Sequence, residues 1–525
     1  MKKVIDFLKK YHLIPYIIII SLIGIFGYVA KWYNYSGVGA ILGQDTGAFY
    51  RYFNVIFVLI LLAVTVVYYL AVIKKAAIEK LYVVSAGFIG IIFMLIVPPY
   101  ASADEDRHLL ECQDFSSAIF GYEMEGEKEH WLRECDANTE LSRDLSVKNY
   151  QYVAENFFAG CDSKEMELKY IDDITYDEDN VVYYYPGIIG ITIGRLFNMG
   201  TIATYMLARV FMLVTYLVIT YFAIKKIPVF KAGYAILMLL PSTMQRAATV
   251  SYDGLMLAYI FIFVAYVFYY IYNVKTIKVV DAVVMALSGV LLAVGKGGAY
   301  IPFLLMLFMI PKENFGKKVK YGFIVAGAIL LCLVAFVGFN YELFADIAGS
   351  TGGETNDLLW TEEEGYTLRE IITSPKRSLK VFINTFIMLG GAKYSEMIGN
   401  GFGWLQVYVS DIWVVAFSIL IVMTLFNESG ENFTFSKKQK LMFGVIAVAS
   451  MGFVILSMWL FWTPLNSSYI EGLQGRYFIP ILIPLFFILK NKLFSVQRKV
   501  APYLVCSAMI MYVGVFLDIW CGMQL

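Results

Sequence analysis

The chain of 525 residues is 59% hydrophobic and only 16% charged, with a mean hydropathy of +0.66 and no formal net charge. That composition excludes a soluble domain with an ordinary polar surface, and gives no global basic excess for nucleic acid. It predicts an all-α polytopic membrane protein, since many apolar stretches are long enough for a hydrocarbon core about 30 Å thick.

The first apolar span, residues 13–30, follows Lys2, Lys3, Lys9 and Lys10 and reads as an uncleaved anchor. Residues 1–80 carry two spans, and a third begins near Leu81 and ends at Pro98-Pro99. The loop that follows, residues 100–182, holds 22 Asp and Glu against 7 Lys and Arg. The rest of the chain is therefore basic, and its cations mark the cytoplasmic loops: Lys74 to Lys80, Lys225-Lys226, Lys275 to Lys278, Lys312 to Lys320, Lys437 to Lys440 and Lys490 to Lys499. The acidic loop then lies outside, as do the turns at 245–253, 295–298, 342–377 and 463–476. Residues 81–350 form the membrane core, 351–405 an outer loop with a re-entrant or interfacial helix, and 406–525 the last spans. Apolar residues 186–199 are too few for a comfortable crossing and are expected to be re-entrant or half of a broken span. This gives about thirteen crossings, N-terminus inside and C-terminus outside, in a bacterial cytoplasmic membrane.

Cys112, Cys135 and Cys161 share the acidic loop, which admits one disulfide among them if the loop is extracytoplasmic. No cysteine or histidine spacing reads as a metal site, and His12 and His130 have no ligand partners at useful spacing. Gly295-Lys296-Gly297-Gly298 lacks the rest of a nucleotide phosphate loop. The acidic run at 172–180 lacks the glycine and distal glutamate of a calcium hand and reads as a solvated loop.

Chemistry concentrates where the third span ends. Within a few residues of the double proline come Asp104, Glu105, Asp106, Arg107 and His108. On a helix, Asp104, Arg107, His108 and Glu111 share one face. Other ionisable or polar residues fall at or near the same side of separate spans: Tyr185, Gln245-Arg246, Asp253, Lys296 with Tyr300, Trp404, and Gln474-Gly475-Arg476-Tyr477, with Arg209 deeper. Each alone has an ordinary explanation, a snorkelling cation or a capped helix end. Converging, they suit a site that binds a phosphate and deprotonates a hydroxyl.

In this order, Asp104-Glu105 with His108, Tyr185-Pro186, Ala208-Arg209, Pro241 with Gln245, Ser251-Tyr252-Asp253, Lys296 with Tyr300, the 401–404 Gly-Phe-Gly-Trp and Gln474-Gly475-Arg476-Tyr477 resemble the bacterial membrane family called domain of unknown function 2142, related to GT-C glycosyltransferases. The resemblance covers residues 81–489. The chain departs from it at Ala103, where the family usually has proline. The resemblance implies transfer of a sugar from a polyprenyl-phosphate carrier to an envelope glycan or lipid acceptor on the outer face. By it, Glu105 is the first choice for catalytic base and Asp104 the second, with His108 and Asp253 orienting the base or the acceptor. Arg476 is the first choice for the phosphate, backed by Lys296, Arg209 and Arg246, with Gln474, Tyr300 and Trp404 lining the substrate. A divalent cation stays open as a cofactor that the spacing does not require. A carrier or flippase of a lipid-linked precursor, and a glycan polymerase or ligase, are the alternatives.

Overall fold

The computed structural model describes residues 6, 8, 10, 12–42, 47–123, 128–171, 182–273, 276–315, 327–329, 331–333, 336–337, 356–358, 363–428, 433–491, 495–496 and 498–523. The acidic run 172–180, Lys275, and the expected loop segments 317–320 and 342–355 lie outside those residues. Among the described residues, the α-helices of seven residues or more are α1 (Leu13–Leu42), α2 (Gly47–Tyr68), α3 (Ile78–Ile96), α4 (Glu105–Ile119), α5 (Val147–Asn156), α6 (Tyr185–Leu196), α7 (Thr201–Lys226), α8 (Lys231–Met238) and α9 (Pro241–Ala247). There follow α10 (Tyr252–Tyr272), α11 (Val279–Val294), α12 (Pro375–Ile398), α13 (Asp411–Thr424), α14 (Lys437–Trp462), α15 (Ile479–Leu489) and α16 (Ala501–Cys521).

Among the described residues, seven helices are long and apolar enough to cross a membrane: α1, α2 with its continuation to Ile73, α3, α7, α10, α14 and α16. Shorter apolar helices cover Val279–Val294, Asp411–Thr424 and Gly475–Leu489. The chain is an α-helical membrane protein. Its centre is α10, whose buried face runs almost all round.

The chain between Lys226 and Tyr252 is not one continuous span. Pro241 starts a new helix at its first turn, where a missing N–H costs nothing, so α8 and α9 meet at a break. All of 233–251 is buried, which brings Gln245 and Arg246 into the protein's interior. The 186–199 segment is α6, about 18 Å long, which reverses at 197–200 and packs antiparallel on α7. Glycine permits this contact: a Cβ on Gly190 would stand 2.5 Å from the Ala208 Cα. That length is short of the roughly 30 Å of a hydrocarbon core.

The large acidic loop departs from an all-helical plan. Besides α4 and α5 it contains an antiparallel ribbon, β1 (Glu129–Arg133) against β2 (Met166–Tyr170), with Glu129 opposite Tyr170 and Arg133 opposite Met166. Alternation turns His130 and Leu132 inward. Just past the ribbon a disulfide joins Cys135 to Cys161, while Cys112 is buried and free. His130 does have a partner: its Nδ1 lies 2.9 Å from Asp114 Oδ2, tying β1 to α4. Nothing in the spacing of those two residues foretold it, because the ribbon brings them together.

Charge sorts the two ends of the bundle. At one end Lys226 pairs with Asp281 at 2.9 Å, and Lys440 donates to the carbonyls of Ile488 and Lys490. At the other end the start of the acidic loop meets the start of α10, where His108 lies edge-on to Tyr252 and Glu105 accepts from Val250 N.

Candidate functional site

The double proline sets the site's first wall. Val97, held extended before Pro98, accepts no further helical turn, and α3 stops. The chain turns through Tyr100 at φ 71° and Asp104 at φ 65°, and α4 begins at Glu105. Asp104 occupies the N-cap position without capping: its carboxylate turns away from the helix. It meets Arg476 instead, with Nη2 to Oδ2 at 2.6 Å.

Arg476 comes from a 3₁₀ turn (Gly475–Phe478) that opens α15, and it bridges two carboxylates. Its Nε stands 3.0 Å from Asp253 Oδ2, in the first turn of α10. Lys296 completes the row, 3.5 Å from Asp253 Oδ1, donating to the Tyr252 hydroxyl at 2.9 Å and lying 3.6 Å over the Tyr477 ring. Lys296 is reached through a left-handed run, φ 52° at Lys296 and 55° and 75° at Gly297 and Gly298. The glycines of this motif serve that backbone path, and strain at the lysine is usual for a residue held for a task. Arg246 donates from the interior to the Ser102 hydroxyl at 3.3 Å and the Ala103 carbonyl at 3.1 Å. His108 closes the far side, sharing a 2.6 Å hydrogen bond with the Tyr184 hydroxyl.

Three cations therefore face two carboxylates, which leaves one positive charge. The cluster is buried except at Asp104, whose side chain is 38% exposed. Burial raises the Asp104 carboxyl, but Arg476, helped by His108 and Arg246, outweighs it and holds the group well below the usual carboxylate range. Burial pushes the His108 imidazole down to about 4, against the pull of Asp104 and Asp253, so it is neutral at pH 7. An arrangement of this kind attracts one anion and keeps an ionised carboxylate at its mouth.

Four of the expected site residues are engaged elsewhere. Glu105 is fully buried, gripped by the Nε and Nη2 of Arg209, and accepts from the Val250 backbone N–H at 3.0 Å. Arg209 spends its other donor capacity on the Val97 and Pro98 carbonyls at 2.6 and 2.9 Å. The pair is a pin between the end of α3 and the start of α4, where a cation and an anion respectively suit the helix dipoles. The structure thus places Glu105 and Arg209 against each other, both fully buried and with their polar atoms engaged within the protein. Tyr300 is buried and donates to the Tyr477 carbonyl at 2.9 Å, so it positions the Arg476 turn. Trp404 donates its indole N–H to the Tyr100 carbonyl at 3.0 Å and lies under Arg143, which pairs with Asp106. It braces the turn.

Asp104, His108, Asp253, Arg246, Lys296 and Arg476 do come together, and Gln474 N-caps the Arg476 turn, its carbonyl accepting from Tyr477 N at 3.1 Å. Tyr184 and Ser102 were not foreseen. The tyrosine run at 183–185 was the available signal, but Tyr185 is exposed toward Tyr259, and its neighbour is the one that reaches His108. Among the described residues no group of three His, Cys, Asp or Glu could hold a metal ion. A cavity of about 360 Å³ lies elsewhere, beside Lys278, lined by apolar side chains such as Phe263, Met285 and Leu304. It has none of the cluster's charges.

The shifts predict acid sensitivity. His108 binds its proton less readily folded than unfolded, so stability is full above about 6.5 and drains as pH falls toward about 4. Asp104, also depressed, gives up its share below the ordinary carboxylate range. Asp104, Asp253, Arg476, Arg107, Tyr184 and Tyr252 surround the imidazole. Thermal melts in detergent should lose midpoint between pH 6.5 and 4, and His108→Gln should flatten that window.

No curated protein and no solved structure matches the chain. The sequence model of a family of predicted membrane proteins matches residues 88–485, the stretch that supplies every residue of the cluster. The chain belongs to the DUF2142 family of predicted membrane proteins.

Proposed function

We propose that the cluster is the active site of a GT-C-type glycosyltransferase that moves a sugar from a polyprenyl-phosphate carrier to an envelope glycan or lipid acceptor. One observation carries the reading: Arg476 bridges Asp104 and Asp253 in a buried row with Lys296 and Arg246, leaving one positive charge beside one accessible carboxylate. A phosphate drawn to that row competes with Asp104 for the guanidinium. Losing part of its cation raises the basicity of Asp104 at the moment the donor is seated. The acceptor hydroxyl then gives its proton to Asp104 while its oxygen bonds to the anomeric carbon. The bond from that carbon to the phosphate oxygen breaks, and its electron pair leaves on the phosphate, which Arg476 and Lys296 stabilise. Attack opposite to departure inverts the anomeric centre. His108 stays neutral and, with Asp253, orients these groups.

The membrane placement belongs to the same proposal. The lysine-rich bundle end lies in the cytoplasm and the site outside, in a bacterial cytoplasmic membrane, with the N-terminus in and the C-terminus out. The disulfide in the loop over the site supports this, because such bonds persist in oxidising compartments. The short and interrupted helices add crossings to the seven long ones, to about thirteen.

The experiment gives purified protein in nanodiscs a polyprenyl-phosphate sugar carrying a radiolabel and a panel of envelope acceptors. Label should become covalently attached to an acceptor, and Asp104→Asn should abolish this while the protein still melts cooperatively, since Arg476 keeps Asp253 as a partner. Label that only changes sides of a vesicle would make the protein a carrier instead. Label that passes on as whole glycan chains would make it a polymerase or ligase.

A further inference from the structure

Helix α12 has two unlike faces. Along one of them it holds the segment that leads to Arg476. Asn384 donates to the Ser468 carbonyl at 3.1 Å, and the Thr385 hydroxyl accepts from Ile470 N at 2.9 Å. Glu396, paired with Lys393, accepts from Gly475 N at 2.9 Å. The approach at Gly475 is close enough that a Cβ there would stand 2.4 Å from the Lys393 carbonyl oxygen. Arg476 is the next residue.

The other face is apolar and uncovered. Leu379, Phe382, Ile383, Phe386 and Ile387 recur at helical spacing, with Ile387 76% exposed and Leu379 59%. Lys376 and Lys380 are exposed at the same end of the helix, three residues and one residue from Leu379. With four cations and a carboxylate along its length, α12 is not among the helices apolar enough to span a membrane. A helix with an apolar stripe flanked by lysines suits the boundary between headgroups and acyl chains. Anionic headgroups complement the lysines.

We propose that α12 docks on the membrane leaflet at the site's end of the bundle, its Leu379–Ile387 stripe in the acyl chains and Lys376 and Lys380 on anionic headgroups, so that the bilayer itself sets the height of Arg476. The docking surface stands whichever reaction the cluster carries.

Spin labels decide it. Ile383→Cys and, as an exposed control on α5, Lys148→Cys would each be labelled in nanodiscs, on a Cys521→Ser background that removes the one free cysteine not fully buried among the described residues. The ratio of oxygen to nickel-chelate accessibility at 383 should exceed that at 148 by at least about fivefold. Equal ratios would overturn the docking. In a second arm, phosphatidylglycerol added to phosphatidylcholine nanodiscs should raise the melting midpoint of the wild type and not that of Lys376→Gln/Lys380→Gln. A wild type indifferent to the anionic lipid, or a variant that still responds, would overturn the headgroup assignment. Neither arm needs turnover, so its failure is distinct from failure of the glycosyltransferase reading.

Discussion

Arg476→Ala is expected to lower kcat/KM for the lipid-linked donor at least about a hundredfold, on the order of 3 kcal/mol of transition-state stabilisation. The guanidinium is the one group that touches both carboxylates of the cluster, at 2.6 Å and 3.0 Å. Charge builds on the departing phosphate only as the bond to the sugar breaks, so the loss should fall mainly on kcat. Arg476→Lys keeps the charge but not the two-pronged fork, and should recover part of the rate. Removing the cation also leaves Asp104 beside Asp253 without their shared counter-charge, which raises the Asp104 pKa and moves the acid limb of the pH–rate profile upward. Steady-state kinetics against pH, with a melt of each variant as the folding control, measures all of this. A folded Arg476→Ala protein with normal kinetics would remove the phosphate assignment.

The second large effect is on stability. Glu105→Ala should destabilise the protein by about 3–5 kcal/mol, because Arg209 would be left charged, buried and without its carboxylate. Arg209→Ala should cost a similar amount, and it also frees the carbonyls at the end of α3. Replacing both partners by methionine should restore much of the loss, since a packed apolar pair carries no uncompensated charge. Melting midpoints of the two single variants and the double variant test this. Asp104→Asn, one residue away, should lose turnover and cost less stability than Glu105→Ala, because Asp104 is partly exposed and Arg476 keeps Asp253. If Glu105→Ala were instead stable and inactive, the roles of the two neighbours would be reversed.

That contrast marks how far the sequence could be read. Hydropathy determined a helical membrane protein, since no water-soluble surface can be made from this composition. The double proline determined where α3 ends, and the ordered polar residues at the ends of separate spans determined most of the cluster: Asp104, His108, Arg246, Asp253, Lys296 and Arg476. These are local properties, or properties of spacing along a span.

Tertiary structure alone decided which carboxylate is sealed and which is open. Asp104 and Glu105 are adjacent and chemically alike, but Asp104 sits in a left-handed turn just before α4 and Glu105 in its first helical turn, so their side chains leave the backbone in different directions. One therefore points inward at Arg209 and the other outward at Arg476, partners more than a hundred and more than three hundred residues along the chain. The same holds for the cysteines and for His130, whose partners depend on the β1–β2 ribbon folding back. Sequence carries the identity of charges, whereas their pairing is set by which helix ends meet, and burial makes an unpaired charge too costly to keep.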